Sequence, residues 1–299
     1  MSGQDRPAPE LPQRVLTTQP LRILPVPPLR ARSPGPAGGG PPWRGPAMPS
    51  LLMVERSIMV YRRTWPVLIS GLFEPLFYLL SIGLGLGALI GKVAGPGGQP
   101  VSYAAFVAPG MLAAASMNGA IFDATFNVYF KLKYGKLYDA VLATPMTVGN
   151  VALGEIIWAL LRGAFYSAAF LLVMAVWGLI YSPWAVLALP AVVLVGFAFA
   201  ATGMAATCYM RSWQDFDYIT LVLMPLFLFS ATFYPISVYP GPLRIVVEWT
   251  PLYQGVALLR GLILGAVGPG LLVNGLYLLL MGLAGRAVTG RRLGALLLR

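Results

Sequence analysis

From residue 66 onward the chain alternates long apolar runs with short polar or Gly/Pro-rich breaks. An α-helix rises 1.5 Å per residue, so about 20 apolar residues cross a hydrocarbon core of about 30 Å. Runs near 66–90, 103–128, 149–180, 183–209, 216–234 and 270–289 meet or approach that length. The pattern therefore predicts an all-α integral membrane protein with six transmembrane helices. Gly95-Pro96-Gly97-Gly98 separates the first two runs, and Ser182-Pro183 divides the third from the fourth. The third run exceeds a minimal span, so its start is expected to project beyond the membrane on the cytoplasmic side.

Two further segments carry weaker patterns. Over 48–65, Leu51, Val54, Ile58, Tyr61 and Trp65 share one helical stripe, with Arg56 and Arg63 well away from it and Glu55 and Arg62 at its border. A helix of this kind lies in the membrane interface. Over 235–269 the run 252–267 is apolar enough to suggest a seventh crossing. Pro235, Pro240, Pro242 and Pro251 cut the region into short pieces, however, and an extra crossing would move the Arg-rich C-terminus to the other side. A re-entrant outer segment between helices 5 and 6 fits better, its irregular backbone shielded by protein.

Charge sets the orientation. With the N-terminus inside, 17 of the 21 Lys and Arg residues face the cytoplasm and only Lys92, Arg244 and Arg260 lie outside, Arg162 being within the third run. That asymmetry places both termini on the cytoplasmic side. The domain plan is a disordered Pro/Gly/Arg-rich tail (1–47), the interface helix (48–65), a transmembrane domain (66–290) and a short basic tail (291–299). Residues 1–47 lack apolar surface to offset their ordering entropy and lack a signal-peptide core. Organised sequence begins at Met48, which leaves Met1 and Met48 both open as the biological start.

Composition narrows the chemistry. The 299 residues are 58% hydrophobic and 10% charged, against about 25% charged residues in a soluble domain. The net charge of +11 flanks apolar runs without forming a basic tract, so nucleic acid is not an expected partner and membrane lipid is. With no His and the single Cys208, neither a metal site nor a disulfide framework is expected. Gly91-Lys92-Val93 and Gly135-Lys136-Leu137 lack the Ser/Thr of a phosphate-binding loop, so no nucleotide site of the chain's own is expected and it is not itself an enzyme. Seventeen Arg against four Lys, with abundant Ala, Gly and Pro, suit a GC-rich bacterial genome and hence a bacterial plasma membrane.

Four ionisable residues sit inside apolar runs: Glu74, Asp123, Glu155 and Arg162. Such groups face protein or water, and the assigned orientation puts all four toward the cytoplasm. Glu155 and Arg162 are seven apart, hence on one helix face. Two readings stay open: a structural salt-bridge cluster, or the lining of a polar vestibule. The basic loop after the second run predicts a short helix over 136–143, ended by Thr144-Pro145. It can hold anionic headgroups or dock into a soluble partner. Phe122, Phe126, Tyr129, Phe130, Tyr134 and Tyr138 recur at spacings of three and four, suiting packing, an interfacial belt or a sugar-stacking surface. Gly83, Gly85 and Gly87 allow close helix approach.

With these segments placed, four stretches resemble the permease subunits of ABC-2 type exporters, in particular the branch of lipo-oligosaccharide (nodulation-factor) and drug-efflux permeases. They are Glu74-Pro75-Leu76-Phe77-Tyr78-Leu79-Leu80, Phe106-Val107-Ala108-Pro109-Gly110-Met111-Leu112, the region 138–154 with Ala143-Thr144-Pro145, and Tyr234-Pro235-Ile236-Ser237-Val238-Tyr239-Pro240 followed by Trp249-Thr250-Pro251-Leu252. Family members usually carry Leu-Asn-Pro where this chain has Trp249-Thr250-Pro251.

The resemblance implies an export permease for an amphipathic substrate, a lipid-linked glycan or a hydrophobic drug. It implies two permease copies joined to two separate ABC ATPase subunits, which hold the ATP-Mg. It implies ATPase contacts at Arg56, Arg62, Arg63, Lys133, Tyr134, Lys136, Leu137, Tyr138, Asp139, Thr144 and Pro145. An ion-driven secondary transporter is the alternative class. It would show related halves and midplane carboxylates, and neither is evident. A membrane-embedded enzyme without His or a paired-carboxylate motif fits less well still.

Overall fold

A computed structural model describes residues 48–63, 73 and 76–297. Ten helices order this part of the chain. They are α1 (Met48–Arg63), α2 (Leu76–Ile90), α3 (Tyr103–Lys133), α4 (Leu137–Leu142), α5 (Val148–Val176), α6 (Ala188–Thr207), α7 (Asp215–Leu228), α8 (Gly241–Glu248), α9 (Pro251–Leu264) and α10 (Pro269–Leu297). The break expected between the first two runs is a small hairpin, so the fold is not purely α. Strand β1 (Lys92–Ala94) pairs antiparallel with β2 (Pro100–Ser102), Val93 opposite Val101. Its turn needs Gly97 and Gly98 at φ of +84° and +79°, which only glycine adopts without strain.

The core forms around α3 and α6. α6 meets α10, α3, α5 and α9, and α3 in turn packs against α9 and α5. Close crossing of α6 and α10 depends on small residues: a Cβ on Gly285 would come within 2.7 Å of the Ala201 carbonyl carbon, and one on Gly282 would run into the Phe197 ring. In lipid, where apolar surface alone does not drive helices together, such close backbone approach supplies the packing energy.

Among the described residues, α3, α5, α6 with its preceding 3₁₀ turn, and α10 are long and apolar enough to cross a membrane. This is therefore a membrane protein with several apolar helices. The predicted first span falls partly outside the described residues, which include its end as α2. The predicted fifth span is α7, only 14 residues and so about 21 Å long. Composition counted 229–234 as helix, but these residues turn irregularly and Ala231 takes a φ of +54°. Their carbonyls are claimed by Arg260, as described below. At the C-terminal end, the basic segment from 291 continues α10 to Leu297 instead of leaving it as a tail.

The prolines of the 235–269 region act as starts. Pro235 and Pro240 precede the 3₁₀ turn at Ile236–Val238 and α8, and Pro251 occupies the first turn of α9, where its missing N–H leaves no bond unmade. Gly265, at φ +89°, closes α9. On α1 the face turned to α5 is Ser50, Met53, Val54, Ser57 and Tyr61, whereas Leu51 and Ile58 of the predicted stripe point outward. The choice is made by Gly154, where a Cβ would lie 2.7 Å from Met53 Cβ and 2.9 Å from Ser50 O.

Candidate functional site

Helix α3 changes pitch at its buried ionisable residue. A π turn spans Asp123–Asn127, an insertion common at functional sites. It is stitched from within by Thr125 Oγ1, which donates to Ile121 O at 2.6 Å, and from α6 by Thr207 Oγ1, 3.2 Å from Ala124 O. The turn aims Asp123 at α5, where Arg162 Nη2 meets its Oδ1 at 2.6 Å, and Asn127 Nδ2 donates to the same oxygen at 2.5 Å. Eight residues further along α3, Lys131 Nζ meets Glu155 Oε2 at 2.6 Å. Asp123 and Lys131 on α3 thus face Arg162 and Glu155 on antiparallel α5, and the four formal charges cancel.

The ladder reaches two more elements. Arg162 Nη1 donates to Tyr61 Oη of α1 at 3.0 Å, and its guanidinium lies 5.6 Å from the Tyr61 ring and 5.9 Å from the Tyr166 ring. Tyr61 also packs on Trp158 with ring centroids 5.0 Å apart. On the opposite side α4 plugs Tyr138, only 1% exposed, into the protein near Glu155. Tyr138 Oη and Glu155 Oε1 are both buried without an aligned hydrogen-bond partner. They are nevertheless close enough to interact electrostatically: burial first, and then the Glu155 charge, push the Tyr138 phenol well above its ordinary value.

Sequence reasoning grouped residues that the structure separates. Lys133, Tyr134, Lys136, Asp139, Thr144 and Pro145 are exposed around α4, and Leu137 is half-buried. Tyr138 faces inward and offers no surface to a partner. Lys136 opens α4 from the left-handed region at φ +42°. On α1, Arg62 is exposed and Arg56 half-buried, while the Arg63 side chain lies outside the described residues. Glu74 also lies outside them, so three of the four predicted intramembrane charges come together and the fourth has no described position. Tyr61, Asn127 and Lys131 were not anticipated as members of the cluster. Lys131 had a signal, standing eight residues from Asp123 and so on the same helix face.

The aromatic series on α3 packs on the α6–α7 connection and the first turn of α7. Phe126 stacks on Phe216 at 4.1 Å, Tyr129 meets the same ring edge-on at 5.1 Å, and Phe130 meets Trp213 at 5.3 Å.

A second constellation was missed altogether. Arg260 on α9 is buried, stacked 3.8 Å from the Phe106 ring centroid. Its Nε donates to Phe106 O at 3.2 Å, and its Nη2 lies 2.9 Å from Ala231 O and 3.1 Å from Thr232 O. The same loop lies against Gly110, where a Cβ would be 2.9 Å from the Thr232 methyl. Arg260 therefore binds the turn after α7 to α3 and α9. The available signal was one arginine within the apolar run 252–267.

These features define a polytopic membrane component: long apolar helices, a charge ladder joining an N-terminal helix to the loop between two of them, and proline-started helices before the last. The ABC-2 type transporter family model matches residues 50–264, and the chain belongs to that family. It is thus of the transmembrane kind that works with an ABC ATPase subunit. Over 201 residues it is 35% identical to Nodulation protein J of Rhizobium leguminosarum bv. trifolii, which covers 66% of this chain and 74% of that protein. It is 31% identical over 222 residues to Nodulation protein J of Sinorhizobium fredii (strain NBRC 101917 / NGR234), covering 74% and 83%. With Nodulation protein J of Neorhizobium galegae it shares 28% over 247 residues, covering 80% and 92%.

Proposed function

We propose that this chain is the permease subunit of an ATP-binding-cassette exporter, carrying an amphipathic substrate out of the cytoplasm of a bacterium. Its relatives' link to nodulation favours a lipo-oligosaccharide or other lipid-linked glycan over a hydrophobic drug. In this reading α1 lies in the cytoplasmic interface, six helices cross the plasma membrane, and α8 and α9 dip into the outer leaflet and return. Both termini are cytoplasmic. Two permease copies work with two ATPase subunits, and these bind the ATP-Mg.

The observation carrying the proposal is the exposed helix α4 on a fixed base. Lys133, Lys136 and Asp139 are free to meet a soluble partner, while Tyr138 anchors the helix beside the α3–α5 ion pairs. A push on α4 acts on α5 through Tyr138, and α1 moves with α5 through Tyr61 and Arg162. ATP-driven closure of the ATPases would thereby shift the permease between inward- and outward-open states. Co-purification with an ATPase and vanadate-sensitive transport are the expected results. Transport that survives ATP depletion but collapses with the ion gradient would refute the reading. Surface labelling of Arg299→Cys in intact cells would overturn the six-crossing topology.

A further inference from the structure

Burying a hydrogen-bonding atom without a partner costs free energy, so such atoms are few in folded proteins. Among the described residues five side-chain atoms are in that state, and two of them are neighbours, Tyr138 Oη on α4 and Glu155 Oε1 on α5. Their needs are complementary. The phenol has a proton to donate, and the carboxylate oxygen lacks a donor. One hydrogen bond between them would satisfy both, yet the two groups are not aligned to make it.

Neither side chain has room to close the gap alone. Lys131 Nζ holds the other carboxylate oxygen, Glu155 Oε2, at 2.6 Å, which limits how the carboxylate can turn. The Tyr138 ring is enclosed on all sides, so its direction is that of α4. What remains adjustable is α4 itself. Among the described residues no hydrogen bond or ion pair joins it to another helix. Its bonds are local, with Ala143 N donating to Asp139 O at 3.1 Å and Thr144 N to Val141 O at 3.0 Å. Apolar packing of Leu137, Val141 and Leu142 around Tyr138 seats it instead. Such packing is non-directional and survives a small tilt, whereas a hydrogen bond weakens steeply as its angle closes. A tilt of α4 can therefore switch the Tyr138–Glu155 bond while leaving the seat intact.

We propose that Tyr138 and Glu155 are the two halves of a latch, open in this conformation and closed when α4 is pressed toward α5. The inference rests on the reading of α4 as the ATPase contact and adds what that contact changes inside the permease. Closure gives Oε1 its donor while Oε2 keeps Lys131, so that α3, α4 and α5 share one carboxylate. A hydrogen bond to a charged acceptor is stronger than a neutral one. Because it exists in one state alone, it shifts the equilibrium toward that state. The Tyr138 hydroxyl is a positioning group for the ATPase-driven state and is dispensable for the resting fold.

The experiment is hydrogen–deuterium exchange over 137–142 in the permease–ATPase complex, at rest and trapped with ATP-Mg and vanadate. At rest the unaltered chain and Tyr138→Phe are expected to exchange alike. Trapping is expected to slow exchange about tenfold more in the unaltered chain than in Tyr138→Phe, the lower end of what a hydrogen bond to a charged group contributes. Placing 4-aminophenylalanine at Tyr138 restores a donor on a ring of the same size and is expected to recover the protection. Equal slowing in the unaltered chain and Tyr138→Phe, in a complex that forms and traps, would overturn the latch alone. Faster exchange of Tyr138→Phe already at rest would also overturn it, since the hydroxyl would then be bonded, directly or through water, in this conformation. Failure of any ATPase to co-purify would refute the reading of α4 and the latch with it.

Discussion

Replacing Arg162 with Gln tests whether the α3–α5 ladder holds the cytoplasmic half of the molecule together. The substitution leaves Asp123, with a side chain 4% exposed, facing only the Asn127 amide. Breaking one member of a buried ion pair costs about 3–5 kcal/mol, because the remaining charge stays desolvated. The Arg162 side chain keeps 16% exposure, so the lower end applies, about 3 kcal/mol. Asp123→Asn in the same chain removes the stranded charge. The double variant is therefore expected to lose less than the two single losses combined, by about 2–3 kcal/mol. Equilibrium unfolding in detergent of the unaltered chain, both single variants and the double variant closes the cycle. Single losses that add to within about 0.5 kcal/mol would refute the reasoning and make the 2.6 Å contact energetically idle.

Four further outcomes are expected, two at Tyr138 and one each at Gly154 and Arg260. Tyr138→Phe removes a buried hydroxyl without an aligned partner, so stability near neutral pH is expected to change by less than about 0.5 kcal/mol, whereas Tyr138→Ala costs about 3–5 kcal/mol through its cavity. Because burial holds the folded Tyr138 phenol well above its ordinary value, the unfolded chain releases its proton first, and stability falls as pH rises past about 10; alkaline unfolding of Tyr138→Phe should lack that component. Gly154→Val drives a side chain into Met53 Cβ and Ser50 O and is expected to cost about 1–3 kcal/mol by overpacking, with α1 lifted from α5 and newly open to protease. Arg260→Lys cannot span the Phe106, Ala231 and Thr232 carbonyls, so amide exchange is expected to rise over 229–235; unchanged protection there would refute the staple.

Much of this protein is determined by composition and period alone. Apolar runs longer than a hydrocarbon core allow little but membrane helices, which is why α3, α5, α6 and α10 lie close to their expected bounds. The short helix α4 and the breaks at Pro235, Pro240 and Pro251 were equally legible, since proline and loop chemistry act within a few residues. Pairing was not. Glu155 and Arg162 share a face by spacing, yet only the crossing of α3 over α5 assigns them Lys131 and Asp123. The buried face of α1 was misjudged because lipid and protein both accept apolar side chains; Gly154, a hundred residues away, makes the choice. The end of α7 was overrun for a related reason, as the Ala231 and Thr232 carbonyls in the turn beyond it are met by Arg260 from a helix about thirty residues further along the chain. Local hydrophobicity determines which segments leave water, and close contacts between distant residues decide which of their faces meet.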